Sequence, residues 1–472
     1  MPTPQSTNSN LSTNMDEYLA GNEKGDAELF KALFTDRYIY DHINEAWFRF
    51  TGHFWEQDMH GESWLAIADG VASEYLAEAA RQRNNGNQGK ESELIRRAAA
   101  LRSRKRVTAV LDWAKALMPL PTAWDSEPMQ LPVANGVIDL QTGNFRYGTP
   151  GEYLKLHSPT AWQRLDFPAP HWESFLQDVF NFNQEIINFF QRLLGYTISG
   201  RANEKVLPIL YGEHGNNGKT TLLETIKTVL GSDFTKKDNA NVLMETKFSG
   251  GERPSDFIVS LPGKRLFWAN ESREGARFDV GLLKELAGGD TMSGRGVYAK
   301  HGISFRPSHV IYLVTNRLPH LTADDNAAWN RILPIGFVTS FVENPIGPDE
   351  RKINKQLPEL LASEASGILA WLVRGCLEWQ KVGLNPPNAV VRFRAYYRES
   401  EDDFGAFCAE CLDFSEPQAL MGAKDLYSCY RAWALDYGLN PMNGTAFGRR
   451  ISVKISKTTT RTGVVYQGVR RR

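Results

Sequence analysis

The sequence of 472 residues has few cysteines and no regularly spaced metal ligands. Four cysteines (Cys376, Cys408, Cys411 and Cys429) do not make a disulfide framework in a chain of this length, and they indicate a reducing compartment. Cys408 and Cys411 form one CxxC pair, but no second pair follows, so a zinc or redox centre is not favoured. The nine histidines are scattered, which gives no sign of a metal cage.

The chain also lacks long apolar runs and an excess of one charge. No apolar run approaches the roughly 18 residues of a membrane helix, so we expect no membrane partner. The 54 Lys and Arg residues against 55 Asp and Glu residues exclude a uniformly basic surface, although local basic patches remain open. Residues 1–15 are polar and have no secretory-signal pattern, which predicts a disordered tail and, with the cysteine usage, the cytoplasm of a bacterial host cell.

Hydrophobic periodicity predicts an α/β organisation for the middle of the chain. Between Val206 and Val342, the apolar runs VLPILYG, RLFWAN, VIYLVTN and ILPIGFV alternate with helical segments, as in a largely parallel sheet. Before them, the pairs Asn135-Gly136 and Thr142-Gly143 indicate hairpins, and two amphipathic helices follow. The last stretch reads as helices followed by two short strands, an order that suits a small winged-helix domain.

A phosphate-binding loop is the most informative motif. The strand VLPILYG leads through GEHGNNGKTT into the helix TLLETIKTVLG. Such a loop needs glycines whose backbone N–H groups wrap phosphates, a helix N-terminus, a Lys and a hydroxyl for Mg²⁺. Five residues instead of four separate Gly212 from Gly218, but a plain surface turn explains the coincidence of strand, loop and helix less well. The predicted ATP-binding residues are Gly215, Asn216, Asn217, Gly218, Lys219, Thr220 and Thr221.

Three further segments place polar residues beside predicted strands. Asn270 and Glu271 follow one strand, and Glu271 is the candidate base that orients water, although such residues often cap a helix. Asn316 ends the next strand, where an amide can position water or belong to a turn before Pro319. Arg331 precedes the last strand and is a candidate arginine finger, the alternative being a surface salt bridge.

The ordered set of motifs carries a family resemblance. GEHGNNGKTT, FWANES, LKELAGGDTMSGRGVY, VTNRLP and AAWNRILPIGF resemble motifs A, B, B-prime, C and the arginine-finger segment of superfamily 3 helicases. The chain is most similar to the phage and plasmid primase type, which is also similar to the poxvirus primase-helicase. The resemblance implies an AAA+ core that binds ATP and Mg²⁺ and assembles into a ring, expected to be a hexamer.

The resemblance also implies roles for individual residues. Lys219 and Thr220 would bind ATP and Mg²⁺, with Asn270 and Glu271 near the metal. Glu271 would activate water, Asn316 would act as sensor, and Arg331 would reach the neighbouring subunit's site. Motif B-prime leads into a hairpin whose expected tip, Lys300-His301, would grip single-stranded DNA, although a Lys-His pair alone carries no such meaning.

These patterns together define the expected architecture, an α/β chain built around a P-loop AAA+ domain. The predicted segments are a disordered tail (1–15), an N-terminal mixed α/β domain of primase-helicase type (16–165), a helical collar (166–204), a superfamily 3 AAA+ ATPase domain (205–345), a helical segment (346–400) and a winged-helix DNA-binding domain (401–472).

Two segments concentrate positive charge. Residues 81–106 contain nine Lys or Arg against two Glu, and they are either a solvated helix face or a DNA contact. After Asp436 there are eight Lys or Arg and no acid, and a helix with a basic wing suits duplex or fork binding through phosphates. The predicted DNA-binding residues here are Arg449, Arg450, Lys454, Lys457 and Arg461.

The function expected from the sequence is an ATP-hydrolysing, ring-shaped DNA helicase. It would translocate on single-stranded DNA, act on forked DNA, and take part in the replication of a phage, plasmid or mobile element. No Asp-x-Asp pair and no zinc-ribbon cysteines occur, so we expect a separate primase or initiator to supply priming. The alternative is an origin-binding initiator or loader whose ATP controls assembly. Replacing Lys300-His301 should abolish unwinding under the first hypothesis and leave duplex binding intact under both. Nothing favours a third option, a defence or regulatory ATPase.

Overall fold

The computed structural model describes residues 15–120, 123–245, 256–270, 274–296, 302–461 and 463–472. Three predicted site residues, Glu271, Lys300 and His301, lie outside the described residues. The predicted tail overlaps the first described helix by one residue, because Met15 begins that helix and is buried.

The N-terminal part is a helical cluster with a small antiparallel sheet. Its helices are α1 Met15–Ala20, α2 Asn22–Phe34, α3 Glu62–Leu65, α4 Ala72–Asn84, α5 Gln88–Ala100 and α6 Arg104–Leu117. A π-helical turn, Ala66–Val71, joins α3 to α4. The sheet contains β1 Tyr38–Asp41, β2 Ala46–Phe50 and β3 Trp55–Gln57 in that order. Apolar faces of these helices enclose one core, to which Phe30, Tyr75 and Leu111 contribute.

A second antiparallel sheet connects this part to the centre. It contains β4 Gln130–Val133, β5 Gly136–Asp139 and β6 Phe145–Arg146. Val133 pairs with Gly136 across a two-residue turn that contains Asn135, and this hairpin was predicted from the Asn-Gly pair. Leu131 and Ile138 are fully buried in the central core, so β4 and β5 pack with the middle of the chain.

The centre of the molecule is a five-stranded parallel sheet. Its strands are β7 Leu207–Tyr211, β8 Thr235–Asn239, β9 Leu266–Asn270, β12 Val310–Thr315 and β13 Ile332–Gly336, in the order β13-β7-β12-β9-β8. Every neighbouring pair is parallel. Both faces are covered, and all six residues of β12 are buried, as expected for an inner parallel strand. The predicted mixed α/β fold with a parallel sheet is confirmed.

Helices and short strands surround this sheet. The helices are α7 Pro170–Val179, α8 Gln184–Ile198, α9 Lys219–Phe234, α10 Asp256–Val259, α11 Val280–Leu286, α12 Asn326–Trp329, α13 Leu357–Ser363, α14 Ala365–Val382 and α15 Asn388–Ser400. The strands β10 Met292–Gly294 and β11 Ile303–Phe305 form an antiparallel pair, and β14 Ser340–Val342 pairs with β15 Glu350–Lys352.

Two glycines let α8 and α14 cross closely. A Cβ atom at Gly195 would lie 2.1 Å from the backbone N of Cys376, and one at Gly375 would lie 2.2 Å from the carbonyl oxygen of Gln191. Larger residues would therefore push the helices apart. Among the described residues, no single helix is long and apolar enough to cross a membrane, although α13 and α14, bent by 71°, pass that test as a pair.

The C-terminal part has its own core. It contains α16 Asp403–Cys411, β16 Leu412–Asp413, β17 Leu420–Gly422, α17 Ala423–Asp436, α18 Gly444–Lys454, β18 Lys457–Thr460, β19 Gly463–Gln467 and β20 Arg470–Arg471. Strand β19 pairs with both β17 and β18 in a three-stranded antiparallel sheet. Aromatic rings of Phe407, Tyr430 and Phe447 pack against one another between the helices, with Phe407 edge-on to the other two, and fix this arrangement.

Candidate nucleotide-binding site and basic surfaces

An open cleft of about 440 Å³ lies at the carboxyl ends of β7, β9 and β12. It is lined by residues 215–221, by Asn270 and by residues 314–317. Ligands of open parallel sheets bind in such crevices outside the carboxyl ends of the strands. The structure therefore brings all seven predicted ATP-binding residues together with Asn270 and Asn316, which come from two other strands.

The loop between β7 and α9 depends on glycine at its final turn. Gly218 has a φ of +83°, and a Cβ atom there would lie 2.9 Å from Cγ2 of Val179. The space beside Gly212 is equally restricted, since a Cβ atom would lie 2.7 Å from Nζ of Lys219. Glycine at these two positions lets the backbone approach a bound phosphate closely.

Lys219 is the centre of the site. Its side chain is 7% exposed, and its Nζ donates to the carbonyl oxygen of Gly212 at 3.3 Å, to Oδ1 of Asn217 at 3.0 Å and to Oδ1 of Asn316 at 2.9 Å. Burial lowers the pKa of Lys219 to about 8, and its hydrogen-bond partners among the described residues are all neutral oxygens. The lysine is thus held in place by neutral oxygens that a phosphate group can replace.

Asn217 fastens the loop to the end of β13. Its side chain is 4% exposed, and Nδ2 donates to the carbonyl oxygens of Phe337 and Thr339, at 3.2 Å each. The carbonyl oxygen of Asn216 accepts a hydrogen bond from the backbone N–H of Phe341 at 2.9 Å. These bonds fix the loop before any ligand arrives.

The end of β12 contributes one residue that the sequence analysis did not assign. Arg317 lines the cleft directly after Asn316, and its guanidinium forms an ion pair with Glu274. Thr315 shapes the turn, since its hydroxyl accepts from the backbone N–H of Arg317 at 3.0 Å. Arg317 directly follows Asn316, the predicted sensor at the end of a strand. This position in the sequence could have indicated that a second cation lies in the cleft.

A divalent cation fits the oxygen atoms on the floor of the cleft. Oδ1 of Asn270 is buried and has no hydrogen-bond partner among the described residues, and Thr220 lines the same cleft. Amide and hydroxyl oxygens are ligands that Mg²⁺ accepts alongside water and phosphate. Glu271, the third predicted metal residue, lies outside the described residues.

Arg331 is not among the residues that line the cleft of its own chain. It immediately precedes β13, and its Nη1 donates to the carbonyl oxygen of Ala327 at 2.7 Å. Its carbonyl oxygen accepts from the N–H of Leu207 at 2.7 Å, which anchors the backbone to β7. The predicted role in a neighbouring subunit's site remains a prediction.

Arg450 departs from the predicted set of DNA contacts, because its guanidinium has partners inside the protein. It forms ion pairs with Asp324 and, at 3.6 Å, with Asp402, and it lies over the ring of Phe404 at 5.1 Å. Only 21% of the side chain is exposed. Arg450 thus joins the C-terminal part to the segment between Asn316 and Arg331.

The other predicted C-terminal cations face solvent. Arg449, Lys454, Lys457 and Arg461 are all exposed, and they come from α18, from β18 and from the turn that follows β18. None forms an ion pair with any described residue. They form a basic surface, which we call the C-terminal basic surface.

The basic segment 81–106 is largely neutralised within the protein. Five of its nine cations form ion pairs: Arg81, Arg83, Lys90, Arg97 and Arg106. Two of them hold one carboxylate, Asp26, which is fully buried and also accepts from the Tyr75 hydroxyl at 2.8 Å. Much of the charge that this segment shows in the sequence therefore serves the fold.

Comparisons with known proteins give relatives for parts of the chain. A family model described as D5 N terminal like matches residues 27–181. A helicase-named protein of Acanthamoeba polyphaga mimivirus is 27% identical over 313 residues, 63% of this chain and 32% of the relative. A helicase-named protein of Frog virus 3 is 27% identical over 259 residues, 52% of this chain and 26% of the relative.

A primase-named protein of African swine fever virus (isolate Warthog/Namibia/Wart80/1980) is 24% identical over 243 residues, 50% of this chain and 25% of the relative. The chain therefore matches about a third or less of the length of these relatives. Solved structures of the NrS-1 C-terminal region are also similar, with 12% identity and a TM-score of 0.48 over 94% of this chain and 100% of that one. The family model and the viral relatives support a relation to the D5-type primase-helicases of large DNA viruses.

Proposed function

We propose that this protein is an ATP-dependent DNA helicase of superfamily 3, with an AAA+ core that acts as a ring. The observation that carries the proposal is the cleft that joins the phosphate loop, Asn270 and Asn316 at the carboxyl edge of one parallel sheet. The helicase-named viral relatives suggest an NTP-hydrolysing enzyme and a role in DNA replication. The site's chemistry and these relatives point to the same class of protein.

Each residue of the cleft has its own role in phosphoryl transfer. Backbone N–H groups of the loop and the N-terminus of α9 hold the phosphates, and Lys219 exchanges its neutral partners for phosphate oxygens. Thr220 and Asn270 would hold Mg²⁺, which supplies charge neutralisation between the phosphates. Asn316, already hydrogen-bonded to Lys219, is placed to orient the attacking water, with Glu271 as the proposed base.

A ring completes the site in this proposal. The loop and the sensor come from one subunit, and Arg331 comes from the next, since Arg331 does not line the cleft of its own chain. Arginine fingers stabilise the charge that develops on the transferred phosphoryl group. Hydrolysis would therefore depend on assembly, which we propose is hexameric.

The C-terminal part fits a winged-helix domain. Its α16–α18 helices are followed by the hairpin β18–β19, which pairs with β17, and the C-terminal basic surface lies on α18 and on this hairpin. Exposed cations on a helix and a wing suit phosphate contacts at a duplex or fork. We propose single-stranded and forked DNA as substrates, and Lys300-His301 as the grip on the single strand.

The chain's own variants test the nucleotide site. We expect Lys219→Ala to abolish ATP hydrolysis and its stimulation by single-stranded DNA, and Arg331→Ala to do the same while retaining ATP binding. An equal mixture of the two inactive variants should recover hydrolysis if Arg331 acts on the neighbour's site. Hydrolysis that persists in Lys219→Ala would contradict the site, and no recovery in the mixture would contradict the shared ring interface.

The C-terminal basic surface also suits the second candidate function, an origin-binding initiator or loader. In that case ATP would control assembly, and duplex binding would be the main DNA interaction. Strand separation discriminates the two functions, because an initiator needs no translocation.

The genome that this protein serves is proposed to be that of a DNA virus, phage, plasmid or other mobile element. The bacterial location stays a prediction, because the similar proteins come from viruses of eukaryotic hosts.

A further inference from the structure

A second and larger cleft of about 930 Å³ lies on the other edge of the central sheet. Its walls are residues 124–128, 130, 132 and 154–156 of the N-terminal part, residues 200–203 and 205 of the connection before β7, and residues 288–290 and 305–308 beside the β10–β11 pair. These segments precede β7 and β12, so the cleft lies at the amino ends of the strands. A ligand here would not compete with a nucleotide at the carboxyl ends.

The floor of this cleft is fixed by a buried cation. Arg265 is 5% exposed, and its guanidinium donates to the carbonyl oxygens of Ile198 and Gln130 while lying over the ring of Phe234 at 4.7 Å. It thus ties the sheet to α8 and to β4. A floor held in this way keeps the two walls at a fixed distance before any ligand binds.

Exposed cations line the walls. Arg201, Lys205 and Arg306 all face solvent, and none forms an ion pair with another described residue. A fourth cation, Lys155, lies over the ring of Trp124 at 5.2 Å. The three solvent-facing cations come from two segments that are about 100 positions apart in the chain, so the fold itself gathers them around one opening.

Three carboxylates share the cleft and must be weighed against these cations. Asp125 is occupied by the protein, because its Oδ1 accepts the backbone N–H groups of Lys155 and Leu156 at 2.8 and 3.0 Å. Glu127 and Asp290 are exposed. With Lys155 and Arg265 counted, five cations face three carboxylates, and the balance favours an anionic ligand.

The arrangement of the charges indicates the class of that anion. The cations belong to separate wall segments of a long, open cleft, which suits a row of phosphates better than a single compact anion. The cleft also reaches the base of the β10–β11 pair, whose connection contains the predicted DNA grip. We propose that this cleft binds the phosphodiester backbone of single-stranded DNA beside the β10–β11 pair, an inference that rests on the proposed helicase function.

The test reverses three charges in the full chain. We would compare wild type with the variant Arg201→Glu/Lys205→Glu/Arg306→Glu by fluorescence anisotropy, using a labelled oligothymidylate and a labelled duplex over a range of salt concentrations. The control variant Lys31→Glu/Lys355→Glu/Lys381→Glu makes the same charge change at exposed positions on other elements. ATP hydrolysis without DNA and thermal unfolding check that each variant is folded.

We expect the cleft variant to bind the oligothymidylate at least about tenfold more weakly than wild type. The slope of log affinity against log salt should become shallower by about 0.7 for each phosphate that the variant no longer binds. DNA-independent hydrolysis should be unchanged, because none of the three residues lines the nucleotide cleft. The milder variant Arg201→Ala/Lys205→Ala/Arg306→Ala should show the same pattern with a smaller effect, which keeps the test valid if the charge reversal unfolds the protein.

Two outcomes would overturn the inference. Affinity for the single strand that falls no further than in the control variant would show that the cleft does not touch DNA. An equal loss of duplex and single-strand affinity would show a general electrostatic effect. Failure of the proposed function looks different, because wild-type protein would then hydrolyse no ATP, or would hydrolyse it without separating the strands of a forked DNA.

Discussion

Two basic segments look alike in the sequence and differ in the folded protein. Residues 81–106 and the segment after Asp436 each carry eight or nine Lys and Arg residues. In the first segment, Arg97 and Arg106 point inward and hold the buried carboxylate of Asp26. In the second, Arg450 and Arg470 form ion pairs with other described residues, whereas Arg449, Lys454, Lys457 and Arg461 are exposed and form none with the described residues.

A run of positive charge is available for binding an anionic ligand only where the fold leaves it unpaired. Asp26 lies 71 positions before Arg97 in the chain, so no local pattern announces the pairing. A buried carboxylate without cationic partners strongly destabilises the fold, whereas an exposed cation can exchange its water for phosphate at little cost in free energy.

The pairing around Asp26 should be the most costly to break. We expect the double variant Arg97→Ala/Arg106→Ala to lower the free energy of unfolding by about 3–5 kcal/mol, because it leaves a buried carboxylate without its cations. Urea unfolding followed by tryptophan fluorescence measures this loss. The matched variant Arg104→Ala/Lys105→Ala, at exposed positions of the same segment, should stay within about 1 kcal/mol of wild type. Loss of DNA affinity with unchanged stability would reverse the assignment.

The buried side chain of His309 shows the cost in stability of an ionisable group that is buried without a counter-charge among the described residues. His309 is 2% exposed, neither ring nitrogen has a hydrogen-bond partner among the described residues, and burial lowers its pKa to about 4. The unfolded chain binds a proton below its ordinary pKa of about 6.5 while the folded chain does not, so stability should fall as pH falls from about 6.5 towards 4.

The difference between these two pKa values sets an upper limit of about 3 kcal/mol for the effect. Unfolding free energies at pH 4.5 and pH 7.5 measure it, and the variant His309→Leu should show a smaller difference between the two values. An identical pH dependence in the variant and in wild type would exclude His309 as its source.

The exposed cations should control affinity instead of stability. We expect Arg449→Ala/Lys454→Ala/Lys457→Ala to weaken duplex binding by about 10- to 100-fold and to reduce the salt slope by about 1 for each phosphate that is no longer bound. The matched variant Arg102→Ala/Arg104→Ala/Lys105→Ala removes three exposed cations from the N-terminal segment and should change affinity far less. Equal losses of affinity in the two variants, measured by anisotropy, would mean that both segments contact DNA.

Arg450 lies in the second segment, but we expect it to stabilise the fold through its ion pairs, as Arg97 and Arg106 do. A double-mutant cycle of Arg450→Ala with Asp324→Ala should give a coupling energy of about 0.5–1 kcal/mol, because both side chains are partly exposed and solvent screens the pair. Arg450→Ala should also lower DNA affinity less than Arg449→Ala does. A coupling energy near zero together with a larger loss of DNA affinity would return Arg450 to the DNA surface.

The same distinction between local and distant information explains what the sequence could predict. The apolar runs predicted four strands of the central sheet, and the glycine pattern predicted the loop ahead of Lys219. Strand β8 was missed, because its sequence TKKDN is polar and it lies at the edge of the sheet, where burial demands little. The order of the strands depends on long-range pairing and had no local signal.

The ends of helices and the ion-pair partners of charged side chains were likewise not predictable from the local sequence. The stretch 83–91 has the Gly- and Asn-rich composition of a loop, yet α4 extends to Asn84 and α5 begins at Gln88, because the Asn87 side chain caps the backbone N–H of Lys90. Likewise, the contact of Arg450 with Asp324 and the place of Arg317 in the nucleotide cleft arise from the fold. Residue types and strand ends were readable from the sequence, and the partners of charged side chains were not.

The central claim is that ATP hydrolysis at this cleft drives strand separation. The most direct measurement is unwinding of a forked DNA with ATP by wild type and by Lys219→Ala, with hydrolysis rates recorded with and without single-stranded DNA. We predict unwinding and DNA-stimulated hydrolysis in wild type, and neither activity in the variant. Hydrolysis that is insensitive to single strands and produces no unwinding would contradict the helicase and favour the initiator or loader.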